Sequence, residues 1–138
     1  MDSKDLQSKE SILLLDKIVK IFSATLKKEL PADISVVEVS EEESRRLNRA
    51  YRGMDKPANV LSFLYGKEYG EIIVCPSLIR REAKAQKNSY EYQMTWMILH
   101  GMIHLSGLHH EKSGNMAQRV GRLEDHILEK IFKKKQEA

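Results

Sequence analysis

The stretch His100-Gly101-Met102-Ile103-His104-Leu105-Ser106-Gly107-Leu108-His109-His110 decides most of what can be read from this chain. Together with Tyr92, Trp96, Met97 and Leu99 upstream, its apolar residues predict a largely buried helix over 90–105, ended by Gly107. His100 and His104 stand four apart on that helix, so their side chains leave the same face one turn apart. Gly107 lets the chain turn back sharply, and His110 can then return to the same point from outside the helix. Three imidazoles on one ion leave a fourth position open, the arrangement of a catalytic zinc site and not of a closed structural one. An isolated pair of histidines at this spacing is compatible with simple packing. The three-histidine spacing with a helix-ending glycine is much rarer and points to a metal. His109 adjoins His110 and competes with it for the third place; the spacing favours His110.

Histidine at the first, fifth and eleventh positions, with glycine at the eighth, matches the metzincin metalloprotease pattern at all but one position. The exception is Gly101, where a metalloprotease carries the glutamate that activates water. The metal geometry therefore survives while the peptidase chemistry does not follow from it.

Outward from this segment the chain mixes helices and strands. Leu15, Ile18, Val19, Phe22 and Leu26 predict an amphipathic helix over 9–29, with Pro31 as its stop. The β-branched run 34–39 predicts a strand. Ser40 with Glu43 forms a capping box that opens a helix to about residue 51, and Gly53 breaks it. Residues 60–64 and 71–74 read as two further strands, and Pro76 opens a helix to about residue 87. A last helix carries Met116, Val120, Leu123, Ile127 and Ile131 on one stripe. The expected architecture is α+β: one domain over 1–138, with a small mixed β-sheet packed against helices and a zincin-like metal-site helix.

Composition bounds the function. At 138 residues and 41% hydrophobic content the chain can build one core, which excludes a disordered tail. Cys75 is the only cysteine, which excludes an internal disulfide framework and a cysteine-rich zinc module; its apolar neighbours Ile72, Ile73 and Val74 predict a packed thiol, not a reactive one. No apolar run is long enough to span a membrane, and residues 1–10 resemble neither a signal peptide nor a transit peptide, so the expected compartment is the cytoplasm. The net charge of +3 is weak support for a nucleic-acid partner. Arg80, Arg81 and Lys84 could line an RNA path, although a solvated helix face explains them as well. All five histidines lie at position 100 or later; His126 is assigned no role.

Three segments together resemble the YbeY family, the metal-dependent endoribonucleases of ribosomal RNA maturation. The family's H-G-x-x-H-L-x-G-x-D-H pattern is close to residues 100–110. A second block runs from Leu47-Asn48 through Tyr51-Arg52 to Lys56-Pro57-Ala58-Asn59-Val60-Leu61-Ser62-Phe63, and a third is Gly70-Glu71-Ile72-Ile73-Val74-Cys75. The resemblance implies one zinc ion held by His100, His104 and His110, other divalent metals being alternatives, and a catalytic role for Arg52 beside it. It also implies single-strand-directed cleavage in 3′-end maturation and quality control of small-subunit ribosomal RNA, with that RNA and the small ribosomal subunit as partners. Either a metal-bound water or the RNA's own 2′-hydroxyl could be the nucleophile. The rival readings are a zinc hydrolase of another substrate, such as a peptidase, and a non-catalytic ribosome-assembly factor with a structural zinc. This chain departs from the family at His109, where aspartate is usual, and at Ala58, where threonine is usual.

Overall fold

The computed structural model describes the backbone of residues 9–107 and 114–137, and the side chains of 13–107 and 115–132. Its elements run α1 (Lys9–Ile21), α2 (Ala24–Glu29), β1 (Asp33–Glu38), α3 (Glu41–Arg52), β2 (Val60–Tyr65), β3 (Tyr69–Val74), α4 (Pro76–Gln86), α5 (Tyr90–Leu105) and α6 (Gly114–Glu137). The expected α+β class, with a small mixed sheet on helices, is what is found.

One expectation is corrected. The single helix predicted over 9–29 is broken at Ser23, which adopts extended backbone and accepts a hydrogen bond from the Leu26 amide at 3.3 Å, opening α2. The apolar period runs on through the break because Phe22 and Leu26 both still pack on the same core. Serine stabilises a helix start better than a helix interior, since its hydroxyl competes with the backbone.

The sheet order is β1-β3-β2, with β3 parallel to β1 and antiparallel to β2. Val36 sits opposite Ile72, and Leu61 opposite Ile73. Alternation along the strands sorts side chains to the two faces. Val36, Ile72 and Val74 join the main core with α1, α4, α5 and α6, while Val37, Val39, Leu61 and Ile73 pack with Leu47 of α3. The sheet is therefore covered on both sides, with α3 on one face and α1, α4, α5 and α6 on the other.

Helix α5 lies at the centre of the larger layer. Ser89 caps it, its hydroxyl accepting from the Tyr92 amide, and ten of its sixteen residues are buried. A helix that is apolar nearly all round is a core helix. Its partly exposed side chains include Tyr92, Trp96, His100 and His104, which recur every four residues as one stripe. At the helix end Ser106 and Gly107 close the last turn, and Gly107 takes the left-handed conformation (φ +93°) that lets the chain leave.

Position 101 explains how α5 can approach the sheet so closely. A Cβ there would lie 2.9 Å from Cγ2 of Ile72, a wholly buried residue of the central strand. The glycine at the place of a metalloprotease's glutamate thus faces the sheet, and the helix packs through it. Among the described residues no helix is long and apolar enough to cross a membrane.

The second layer is tied down by charge. Glu41, in the first turn of α3, accepts a bidentate pair from Arg81 of α4 and a further hydrogen bond from Ser77 Oγ. These donors, Arg81 first, hold the Glu41 carboxyl at about 2, below its ordinary 4.5. Arg80 meanwhile lies 4.5 Å over the Tyr90 ring. Cys75 is buried and burial raises its thiol pKa, as expected of a packed cysteine.

Two predictions follow the packing. Gly101→Ala gains up to about 1 kcal/mol of helix propensity but forces Ile72 to move, an overpacking cost of about 1–3 kcal/mol. Denaturant unfolding should therefore show a net loss of stability; a more stable variant would contradict the close approach. For Glu41, a carboxyl depressed by folding contributes stability above its unfolded pKa that is lost as pH falls toward 2. Glu41→Gln should lower Tm at neutral pH, and the gap to the parent should narrow between pH 5 and pH 2. A gap that does not change with pH would show that the Arg81 pair contributes nothing.

Candidate metal centre

The stripe on α5 brings His100 and His104 together, their ring centroids 4.5 Å apart. Both are only partly exposed, at the rim of a core helix. His100 Nδ1 lies 2.7 Å from Glu124 Oε2 of α6, and the other carboxylate oxygen, Oε1, accepts from Trp96 Nε1–H at 3.2 Å. Glu124 is 8% exposed, so these two contacts replace most of its water. Beside this group lies a cleft of about 300 Å³. Trp96, Met97 and His100 line it from α5, Val120 and Glu124 from α6, and Asn59 from the segment before β2.

The segment from Arg52 to Asn59 is held by two buried polar side chains of α3. Ser44 Oγ donates to the Ala58 carbonyl at 2.7 Å and accepts from the Ala58 amide at 2.9 Å. Asn48 Nδ2 donates to the Lys56 carbonyl at 2.8 Å. Gly53, at φ +70°, turns the chain out of α3, and Asn59 Nδ2 donates to Glu82 Oε1 at 3.0 Å. Much of the second sequence block is therefore a pinned connection whose far end, Asn59, reaches the cleft. The backbone at Ala58 is gripped by Ser44, so the alanine there leaves the connection in place.

The predicted site residues fare unequally. His100 and His104 are brought together. Arg52 is exposed on the last turn of α3 and does not line the cleft beside His100. His110, predicted as third ligand, and its competitor His109 lie outside the described residues. His126 is exposed on α6. Among the described residues no group of three or more His, Cys, Asp or Glu side chains is placed to hold a metal. What is present fits one nonetheless: two imidazoles on one face, and a buried carboxylate at a ring nitrogen of one of them, the usual support of a metal-bound histidine.

Glu124 is the residue that sequence reasoning passed over. Its signal was there: it stands at four-residue spacing between Val120 and Leu128, both buried, so a charge interrupts an apolar stripe of α6. A carboxylate is seldom buried unless it is paired.

Comparison with known proteins places this geometry in a family. The family model described as Endoribonuclease YbeY matches residues 1–132. A relative named Endoribonuclease YbeY from Thermotoga petrophila is 32% identical over 122 residues, covering 86% of this chain and 81% of its own. Another of the same name, from Acinetobacter baumannii, is 34% identical over 143 residues, covering 93% and 90%. The solution structure of TM1509 from Thermotoga maritima superposes with a TM-score of 0.65 at 27% identity, over 95% of this chain and 89% of that one. A match over nearly the whole length, together with relatives above 30% identity, makes this chain a member of the endoribonuclease YbeY family.

Proposed function

We propose that residues 1–138 form one zinc-dependent endoribonuclease domain that acts in the cytoplasm on ribosomal RNA of the small ribosomal subunit. Zinc would be held by His100, His104 and His110. Family membership makes the chain an endoribonuclease, a hydrolase of RNA phosphodiester bonds, and a metal-dependent one. The observation that carries the reading is the pair of imidazoles 4.5 Å apart on the one partly exposed stripe of a buried helix. Neutral imidazole is a preferred zinc donor, and three of them leave a place for water or substrate.

When bound, zinc supplies Lewis acidity, drawing charge from phosphoryl oxygens and acidifying coordinated water. The chain's own residues do the rest. His100 and His104 would hold the ion from the rim of α5, where RNA reaches it from solvent without entering the core. Arg52, exposed at the end of a pinned connection, offers a planar guanidinium to the non-bridging oxygens, where charge gathers in the transition state. Arg81 is committed to Glu41, and Arg80 stacks on Tyr90, which favours a structural role for both over an RNA path. A peptidase reading is disfavoured because position 101, where its general base would stand, packs against Ile72.

The test is cleavage of single-stranded and duplex ribosomal RNA fragments, with casein in parallel. The zinc-loaded chain should cut single-stranded RNA and leave casein intact. His100→Ala should abolish metal binding and cleavage while keeping the fold. Arg52→Lys, which keeps charge but loses the bidentate fork, should lower kcat by about 10²-fold, as for other losses of a transition-state donor. Metal-independent RNA cleavage by His100→Ala would sink the proposal. Product ends carrying a 2′,3′-cyclic phosphate would assign the nucleophile to the RNA's 2′-hydroxyl.

A further inference from the structure

We infer that Glu124 is a positioning residue for the metal centre: it holds the proton of His100 on Nδ1 and thereby presents Nε2, with its lone pair, as the ligand atom. The inference rests on the zinc reading above and deepens it.

A neutral imidazole carries one proton, on one of its two nitrogens, and only the other nitrogen can donate to a metal. The ring's own preference, for the proton on Nε2, is small enough for a neighbouring acceptor to override. Here the decision falls to the neighbour. Glu124 is a carboxylate, an acceptor at both oxygens, and Oε2 stands 2.7 Å from Nδ1. The contact is favourable when Nδ1 carries the proton, and places two lone pairs against each other when it does not. Burial sharpens the preference, because Glu124 is 8% exposed and has little water with which to exchange the contact.

Trp96 makes the arrangement one-way. An indole has only a donor, and its Nε1–H is given to Oε1 of the same carboxylate at 3.2 Å. Trp96 and His100 lie one turn apart on α5, so a single carboxylate from α6 receives both. That requires two acceptor oxygens, and glutamine has one. In Glu124→Gln, an amide oxygen turned to Trp96 puts the amide NH₂ against Nδ1. His100 must then carry its proton on Nε2, where it blocks the metal. An amide oxygen turned to His100 sets NH₂ against the indole N–H. The near-isosteric change therefore cannot satisfy both partners. Removing the indole donor should relieve the conflict: in the double variant Trp96→Phe/Glu124→Gln, the amide oxygen is free to accept from Nδ1–H.

The experiment uses the whole chain with ¹⁵N-labelled histidine. His100 is assigned by comparison with His100→Ala, and its proton position is read from imidazole nitrogen shifts in the metal-free protein. Zinc affinity is then measured by competition with a chelator. The parent should hold His100 as the Nδ1–H form. Glu124→Gln should move it toward Nε2–H and weaken zinc binding about 10–100-fold, the usual cost of losing such a partner. Trp96→Phe should stay within a few-fold of the parent, and the double variant should regain much of the lost affinity. A general packing defect would not be rescued by a second truncation in the same contact.

The inference is overturned if His100 in the parent is mainly Nε2–H. It is equally overturned if Glu124→Gln binds zinc as the parent does with its proton unmoved. The parent's proton position decides the matter even if the variant does not fold. A parent that binds no zinc would defeat the metal reading instead, while the role of Glu124 in setting the tautomer would still be scored from the metal-free spectrum.

Discussion

The close approach of α5 to the central strand is the constraint on which the rest depends. With no side chain at position 101, the helix backbone comes down onto Ile72, and the residues around it can be apolar on nearly every side. Burial of that many apolar groups is the main favourable term in folding, and beyond the first turn it leaves one stripe of the helix partly exposed. His100 and His104 occupy that stripe. The position that anchors the helix and the positions proposed to bind metal lie on one helix: adjacent residues point about 100° apart, so a glycine turned to the sheet leaves His100 to one side of the contact, at the partly exposed rim.

The same geometry separates this chain from the peptidases whose histidine spacing it shares. In that pattern the second position works on water. Here it is occupied by the contact that seats the helix, and no acid can be added there without lifting α5 from β3. The carboxylate that does stand beside His100 comes from α6, and it meets the imidazole ring, not a reacting atom. The packing at position 101 and the carboxylate beside the histidine are thus divided between a glycine and a distant glutamate.

What the sequence made legible was local. Caps and breakers marked most helix ends: Ser40, Gly53, Pro76 and Gly107 all stand at or beside a boundary. Short β-branched and apolar runs marked the strands. The break at Ser23 was hidden because Phe22 and Leu26 serve the same core from two helices, so the apolar period does not falter. The parallel pairing of β1 with β3 was not legible, because it joins strands separated by α3 and β2 and no local pattern encodes it. Of the site, the i,i+4 pair was legible because helical geometry alone brings it together. Glu124 was not, being twenty-four residues away on another helix, although a lone acid between buried Val120 and Leu128 marks a charge with a hidden partner. The link from Arg52 to the metal rests on family resemblance; the contacts of α3 carry it only as far as the pinned connection to Asn59.

Whether a metal sits on His100 and His104 with His110 as third ligand is decided by elemental analysis of the purified chain beside His110→Ala and His109→Ala. About one zinc per chain is expected in the parent and in His109→Ala, and little or none in His110→Ala. Metal retained by His110→Ala and lost from His109→Ala would contradict this ligand set.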